Sequence, residues 1–598
     1  GKGPAEEPHP FQNMRFSTET SRGDVNDCIL SPDGRYLAYV VAEQGQIGLF
    51  VRQVATGSDV PVIPLAKDRI EMPRFSPDGN YLFYLGRKPD APLYRTLFRI
   101  ASLGGTPEER AFDVDSRVSF SPDGKQFAFV RGFPQDGRTG IFVMDADGTN
   151  ERELASVKSP EEIASGVEWS PDGKSIATLT VQPPPQSSST LVLFDVKSGQ
   201  RSDVTARKQA FYNGLAWMGD ASAVVVTGND LTMGFTRQAF LISVPGGQVR
   251  RVTNDFNQYD SPSVTASSDA IALIRGTYLA NLWSVDPAGG ANAQVTRATS
   301  SESSPWNFGT ADGAVVYAAL RDQALKLFVN PLPDGEPRVI NTGPGHAIQI
   351  RSRARMVAFA KYNEGEQHLW CVGLDGSGLR QLTNFGGEDL LDISPDGRLV
   401  AFSRADSASG VWLVPTDGGE PRVVSRTAIK GVAAFSEDGN WLGYAEYDRS
   451  GGLIRTAYYK MTLATGEISP PLNAPPQAVI LRWLPDQSGY CYSDRADPAG
   501  NIFRASFDGS EPVRMTDFKD MRITDFDFSP DGKQMAIVRW LGNTENVWVA
   551  NADGSNPRQV TTFASQVIFG MRWMANPMRV IVTAGDAARD VVMIREFK

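Results

Sequence analysis

An all-β fold, arranged as two tandem β-propellers of about 13 four-stranded antiparallel blades, is predicted by three features of the sequence. The tetrapeptide Ser-Pro-Asp-Gly stands intact at 31–34, 76–79, 121–124, 170–173, 394–397 and 529–532, with a Ser-Glu-Asp-Gly copy at 436–439. Worn copies surround Asp220, Asp269, Asp312 and Asp486, and two further repeats near Arg353 and Asn576 keep only the flanking pattern, so that the step is about 41 to 49 residues, the length of a propeller blade. Between the tetrapeptides the hydrophobic pattern alternates with period two, and no amphipathic helix of useful length appears.

Each residue of the tetrapeptide supplies something a tight hairpin needs. Proline presets φ for the first corner of a type I turn, aspartate bonds its own downstream N–H, and glycine takes the positive φ that lets the strands re-pair. An aspartate that recurs once per blade is therefore read as folding chemistry and not as an active site.

Each full repeat reads as an inner strand entering the tetrapeptide, a second strand leaving it, a third strand and an outer fourth strand; in the third repeat these are 116–120, 126–130, 141–145 and 151–154. Third strands recur as GLFV at 48–51, IFVM at 141–144, LWSV at 282–285, VWVA at 547–550 and VVMI at 591–594. The last of these ends the chain and has no fourth strand after it. Residues 14–18, MRFST, resemble the fourth strands VRRVT at 249–253, LRQLT at 379–383 and PRQVT at 557–561, so the chain starts with a fourth strand that equalises the count. Closing a ring in this way removes the open sheet edge. One ring of 13 exceeds the usual size, hence two rings of six and seven. The long Gly/Ala turn 286–293 sets the boundary: a first propeller at 11–288, a second at 289–598, and a tag or linker at 1–10. A seven-plus-six split near residue 340 is the alternative.

The composition is that of a soluble globular chain, 41% hydrophobic and 21% charged. A net charge of −10 argues against a nucleic-acid role. Cys28, Cys371 and Cys491 are too scattered for a disulfide framework or a zinc site and read as buried, inert thiols, so neither a metal nor a cofactor is expected. No apolar run reaches 18 residues, so membrane attachment is expected only through a segment absent from this sequence.

His9, His346 and His368 each stand apart from any nucleophile context, and no Gly-x-Ser-x-Gly elbow, Walker loop, HExxH or kinase signature occurs. The expectation is a non-enzymatic binding protein. Trp217, Trp483 and Trp573 in inner strands, and Trp283, Trp370, Trp412 and Trp548 in third strands, read as packing between sheets. A cation follows the second strand in many repeats: Arg87, Arg131, Arg275, Arg321, Arg404, Arg495, Arg539 and Lys361. These either form a rim for an anionic ligand or acidic partner, or brace neighbouring aspartates, as Arg404-Ala-Asp406 and Arg495-Ala-Asp497 suggest. The binding surface for an unknown small ligand or protein is placed on the face opposite the tetrapeptide hairpins, where the loops 87–96, 131–140, 181–190 and 228–237 vary most. Tyr94, Arg95, Phe133, Arg138, Phe235 and Arg237 are its candidate residues, aromatic anchors combined with charge.

Stretches such as SPDGKQFAFVRG, YSDRADPAGNIFRASFDGS and VWVANADGSNPRQVT resemble the TolB-like, PD40 class of propeller repeats over nearly the whole chain. The two ends carry a narrower likeness. PFQNM at 10–14 followed by ILSPDGRYLAYVV, LFVRQVATG at 49–57 and DVVMIREFK at 590–598 look like the propeller half of acidobacterial membrane-bound serine/threonine kinases. That resemblance implies a kinase domain and a membrane helix upstream, an extracytoplasmic location and a sensor role, and carries over no catalytic residue. Similar propellers follow winged-helix regulators, which leaves the output domain open. The alternatives are a TolB-like periplasmic interaction scaffold and a gating propeller of a tricorn or prolyl-oligopeptidase type peptidase.

Overall fold

The computed structural model describes residues 14–596 apart from 44–45, 68, 89–90, 134–135, 159–160, 183–187, 209, 231–235, 256, 299–306, 312, 322–323, 334, 364–365, 405–409, 427, 449–454, 473–477, 495–496, 498, 520–521 and 542–543. The expected linker 1–10 thus lies outside the described residues. Among the described residues the named elements are all strands in antiparallel sheets, and no helix is long and apolar enough to cross a membrane.

Two compact units are formed, one from Gly1–Thr277 with Ala587–Lys598, the other from Tyr278–Asp586. In the first unit, five sheets each take four consecutive strands, as Val25–Leu30, Tyr36–Glu43, Gln46–Gln53 and Ser58–Ala66 do. The sixth is composite: Gln258–Val264, the start of Ala270–Val285, the end of Arg579–Arg595, and Arg15–Thr18. In the second unit, six sheets of consecutive strands are joined by a composite seventh, made of Val567–Met574, the start of Arg579–Arg595, the end of Ala270–Val285, and Ala293–Gln294. Each unit is a β-propeller, with neighbouring inner strands packed side by side and the last beside the first: Gln258–Val264 against Val25–Leu30, and Val567–Met574 against Phe308–Ala311.

The expected boundary at 288/289 therefore differs from the observed division. Ala270–Val285 runs unbroken for 16 residues and Arg579–Arg595 for 17, each serving as a second strand in one unit and a third strand in the other.

The tetrapeptides make the hairpins in the expected way. Ser31 Oγ donates to Asp33 Oδ1 at 2.7 Å, Asp33 Oδ1 accepts from the Arg35 amide at 3.1 Å, and Gly34 closes the turn with φ +71°. Ser31 Oγ also accepts from Tyr36 N at 2.9 Å, tying the turn to the first residue of the next strand. Within the blades both faces are buried. From Gln126–Phe133, Phe127 and Phe129 pack against Phe83 and Leu85 of the preceding sheet, while Ala128 and Val130 meet Val167, Trp169 and Ile176 of the following one.

A threonine past the outer strand clasps the third strand in repeat after repeat. Thr253 accepts from Ala239 N at 3.0 Å and donates to Gln238 at 2.8 Å; Thr516 accepts from Ile502 N at 2.9 Å and donates to Asn501 at 2.9 Å; Thr561 accepts from Val547 N at 2.8 Å and donates to Asn546 at 2.9 Å. At the composite sheet of the first unit this role falls to Thr20, which accepts from Val591 N at 2.9 Å and donates to Asp590 at 2.8 Å. The alignment of Thr18 with Thr253 is thus two residues short, because Arg15–Thr18 already pairs with Val592 to Arg595 and the chain turns onto the clasp only afterwards.

Two outcomes follow. Thr20→Ala removes a buried acceptor and donor at the closure and should lower unfolding free energy by about 1–3 kcal/mol, as Thr561→Ala should in the second unit, measured by chemical denaturation. The carboxyls of Asp78, Asp123, Asp172, Asp396 and Asp531 are held below their ordinary value, first by the neighbouring serine hydroxyl. A depressed folded-state value gives stability that is present above the unfolded-state value near 4 and is lost as pH falls through the folded one. Ser121→Ala combined with Ser529→Ala should therefore move the acid-unfolding midpoint, followed from about pH 7 to about pH 3, to higher pH.

Candidate functional site

The channel of each unit is lined by inner strands, and nearly all of these carry a bulge. Register shifts fall at Val25/Asp27, Glu71/Arg74, Ile163/Val167, Tyr212/Gly214 and Asp260/Ser263 in the first unit and at Ile348/Ile350, Leu390/Asp392 and Ile568/Gly570, among others, in the second. Met72, Ser261 and Gln349 hold φ of 55°, 49° and 50° at these points. A bulge re-aims side chains, and here it turns charged residues of a strand with two apolar neighbours into the channel.

In the first unit the cavity is about 640 Å³ and is bordered by Asp27, Asp115, Arg117, Glu168, Arg237, Asp260 and Arg589. The charges are matched. Arg74 grips Glu168 at 2.9 and 2.6 Å while Ser119 donates to the same carboxylate at 3.0 Å; Arg117 pairs with Asp27; Arg237 lies 2.7 Å from Asp260, with Arg589 at 3.6 Å from the other oxygen. Such pairs recover desolvation cost by their geometry and serve more to fix direction than to add net stability.

The candidate residues fall on three blades at this end of the first unit. Arg237 borders the cavity itself, and Thr139, next to Arg138, does so on its blade. Arg138 stacks 3.9 Å over the ring of Phe133 and pairs with Glu153 at 2.8 Å. Arg95 donates to Glu71 at 3.0 Å and reaches Asp115 at 3.5 Å, and the exposed Tyr94 lies against Phe112 with ring centroids 5.3 Å apart. Phe235 lies outside the described residues, as do 89–90, 134–135, 183–187 and 231–235 of the four variable loops.

The cavity of the second unit, about 390 Å³, opens toward its tetrapeptide hairpins and was not singled out by the sequence reading. Arg353 pairs with Glu437 at 2.8 Å, and Arg482 lies 3.1 Å from Asp525 and 3.6 Å from Asp527. Arg351 donates to Leu391 O at 2.9 Å and Ile350 O at 3.0 Å, and Arg572 to Met571 O at 2.7 Å. The available signal was positional: in this unit the residue two before each hairpin serine, or its counterpart, borders the cavity.

Four of the eight recurring cations after the second strands lie over rings, while Arg275 donates to Thr18 Oγ1 at 3.4 Å. Lys361 sits 4.3 Å from Trp370, Arg404 3.6 Å from Phe385 and 4.8 Å from Trp412, Arg539 3.6 Å from Phe518 and 4.5 Å from Trp548, and Arg131 4.8 Å from Phe142. Arg131 also pairs with Glu151 at 2.7 Å, whereas Asp497 receives Arg514 at 2.6 Å; Asp406 and Arg495 lie outside the described residues. Inner-strand tryptophans are packing residues: Trp217, Trp483 and Trp573 donate to Glu168 O at 3.1 Å, Ala434 O at 3.2 Å and Asp527 O at 3.0 Å of the preceding blade. The three cysteines are buried and unbridged, with burial pushing the Cys371 thiol up to about 11 and Cys491 to about 12, as inert thiols require. His368 lies 3.1 Å from Glu366 and 3.4 Å from Glu388.

No protein-family model matches the chain. A curated relative, an uncharacterized peptidase of Bacillus subtilis (strain 168) named YuxL, is 25% identical over 243 residues, which are 40% of this chain and 33% of the relative. The chain thus spans about a third of that relative's length. Among solved structures, the tricorn protease covers 95% of this chain and 62% of its own at 12% identity and a TM-score of 0.37. TolB from Acinetobacter baumannii covers 59% and 81% at 16% identity and a TM-score of 0.28. Identities this low speak to fold alone. The expectation of a non-enzyme is corrected by the curated relative, which is named a peptidase.

Arg539 is 4% exposed and sandwiched by rings, so Arg539→Gln should lower stability by about 1–3 kcal/mol in denaturant titration, as a bracing cation would and a ligand-binding rim residue would not.

Proposed function

We propose that this chain is a peptide- or protein-binding β-propeller that serves a peptidase reaction, taking its ligand at the channel of the first unit. The observation that carries this is the cavity of about 640 Å³ walled by matched guanidinium and carboxylate groups. Donors and acceptors alternating around one opening suit a peptide backbone, which offers C=O and N–H in alternation. Tyr94, Arg95, Phe133, Arg138 and Arg237 extend that surface outward, and the peptidase relative supports the substrate class.

The test titrates the purified chain with a panel of short peptides, following binding by calorimetry and hydrolysis by the release of new amino termini. Tyr94→Ala with Arg95→Ala, and separately Arg237→Ala, should weaken binding about tenfold or more, the scale of an anchor worth about 1.4 kcal/mol. Absence of any peptide binding, or affinity unchanged in all these variants, would overturn the reading.

A second reading, an extracytoplasmic sensor region of a membrane-bound kinase, rests on the likeness of 10–14, 49–57 and 590–598 to such proteins. The native reading frame separates the two. Kinase motifs and a membrane helix encoded upstream of Gly1 favour the sensor, and a hydrolase domain encoded beside the propellers favours the peptidase.

A further inference from the structure

The cavity of the second unit presents a different chemistry from that of the first. Going round its blades, the channel position two before the hairpin serine or its counterpart is charged at Arg351, Asp392, Arg482, Asp527 and Arg572 and neutral at Gly309 and Ala434, and all seven border the cavity. Arg482 is matched by Asp525 and Asp527 at 3.1 and 3.6 Å. Asp392 is committed to main-chain donors, accepting from Ile393 N and Phe435 N at 2.9 Å each. That leaves Arg351 and Arg572, which bond only to main-chain carbonyls and have no carboxylate within ion-pair distance among the described residues.

These two arginines flank the place where the ring closes. Phe308–Ala311 packs between His346–Arg353 on one side and Val567–Met574 on the other, and Thr310 Oγ1 donates to Trp573 O at 2.6 Å across the seam. The residue between the arginines is Gly309. A Cβ there would lie 2.3 Å from Ser352 Oγ and 3.0 Å from Ser352 N, so packing keeps that position without a side chain. Two guanidinium groups thus border a gap that no protein side chain fills. Their charge is only partly offset: Arg351 is held below the usual arginine value, to about 10, first by burial and then by the positive charge of Arg572, with Asp392 opposing and Arg482 adding to the effect, while Arg572, after Arg482, lowers the Asp525 carboxyl against the burial that raises it.

We propose that the channel of the 278–586 unit binds an oxyanion group, a carboxylate or phosphate, between Arg351 and Arg572 over Gly309. Guanidinium groups present paired N–H donors that match either anion, and a cavity of about 390 Å³ has room for a small molecule or a chain end carrying it. The inference is independent of peptide binding at the first unit.

The experiment uses the full chain in a phosphate-free, low-salt buffer, with calorimetry and thermal melting in the presence of inorganic phosphate, trialanine and trialanine amide. At least one of the first two should bind and raise the melting temperature. Preference for trialanine over its amide assigns the site to peptide ends, and preference for phosphate assigns it to phosphoryl groups. Arg572→Gln should weaken that binding about tenfold or more, and Arg572→Lys, which keeps the charge and loses the fork, should weaken it less. Arg353→Gln, whose guanidinium is already taken by Glu437, should leave affinity unchanged. Failure of both anions to bind, or wild-type affinity in Arg572→Gln or, should that variant not fold, in Arg572→Lys, would overturn the proposal.

Discussion

Closure of the sheet edge is the constraint on which the rest of this molecule depends. A ring of four-stranded sheets is stable only if its first and last blades leave no row of unpaired N–H and C=O groups. In the first unit that edge is sealed by Arg15–Thr18 on Val592 to Arg595 and locked by Thr20 on Asp590 and Val591. In the second, Ala293–Gln294 completes the sheet by pairing with Trp283 and Ser284. The same side-chain clasp that ends ordinary blades is reused where strands distant in sequence must meet. Val591 and Met593 are buried against Ala270, Ala272 and Ile274, so the seal has the apolar core of an ordinary blade behind it.

Closed rings set the terms for the channels. Inner strands must pack against two neighbours and also face the axis, which a strand of strict period two cannot do along its whole length. The bulges resolve this by adding a residue, and the side chains they release toward the axis are largely charged. In the first unit the released charges find each other across blades, as Arg74 with Glu168 and Arg117 with Asp27 do over separations of 94 and 90 residues. In the second, two carboxylates, Asp525 and Asp527, serve the single Arg482, and Arg351 and Arg572 hydrogen-bond to main-chain carbonyls on either side of a glycine the packing demands. Channel electrostatics, and not the hairpin loops alone, distinguish the two units.

Several of the recurring cations brace on partners that the local sequence does not display. Position after the second strand was legible, and so was a bracing role, but neighbouring aspartates in sequence suggested ion pairs. Arg404 lies over Trp412 of the paired strand and over Phe385, and Arg539 over Trp548 of the paired strand and over Phe518. Trp217, Trp483 and Trp573 were correctly assigned to packing because an indole in an inner strand has a preceding blade's carbonyl within reach.

By itself the sequence determined what repeats, the hairpin at each tetrapeptide and the order of strands within a blade. These follow from local rules, the turn chemistry of Ser-Pro-Asp-Gly and period-two alternation, that hold wherever the motif stands. Only the tertiary structure decided what depends on strands far apart in the chain. It placed the crossover inside Ala270–Val285 and Arg579–Arg595, and it chose Thr20 over Thr18 as the clasp. It also brought Arg351 and Arg572, 221 positions apart, to the two sides of Gly309. The physical reason is that ring closure and bulge placement are settled by packing between whole blades, and no local stretch of sequence contains both partners of those contacts.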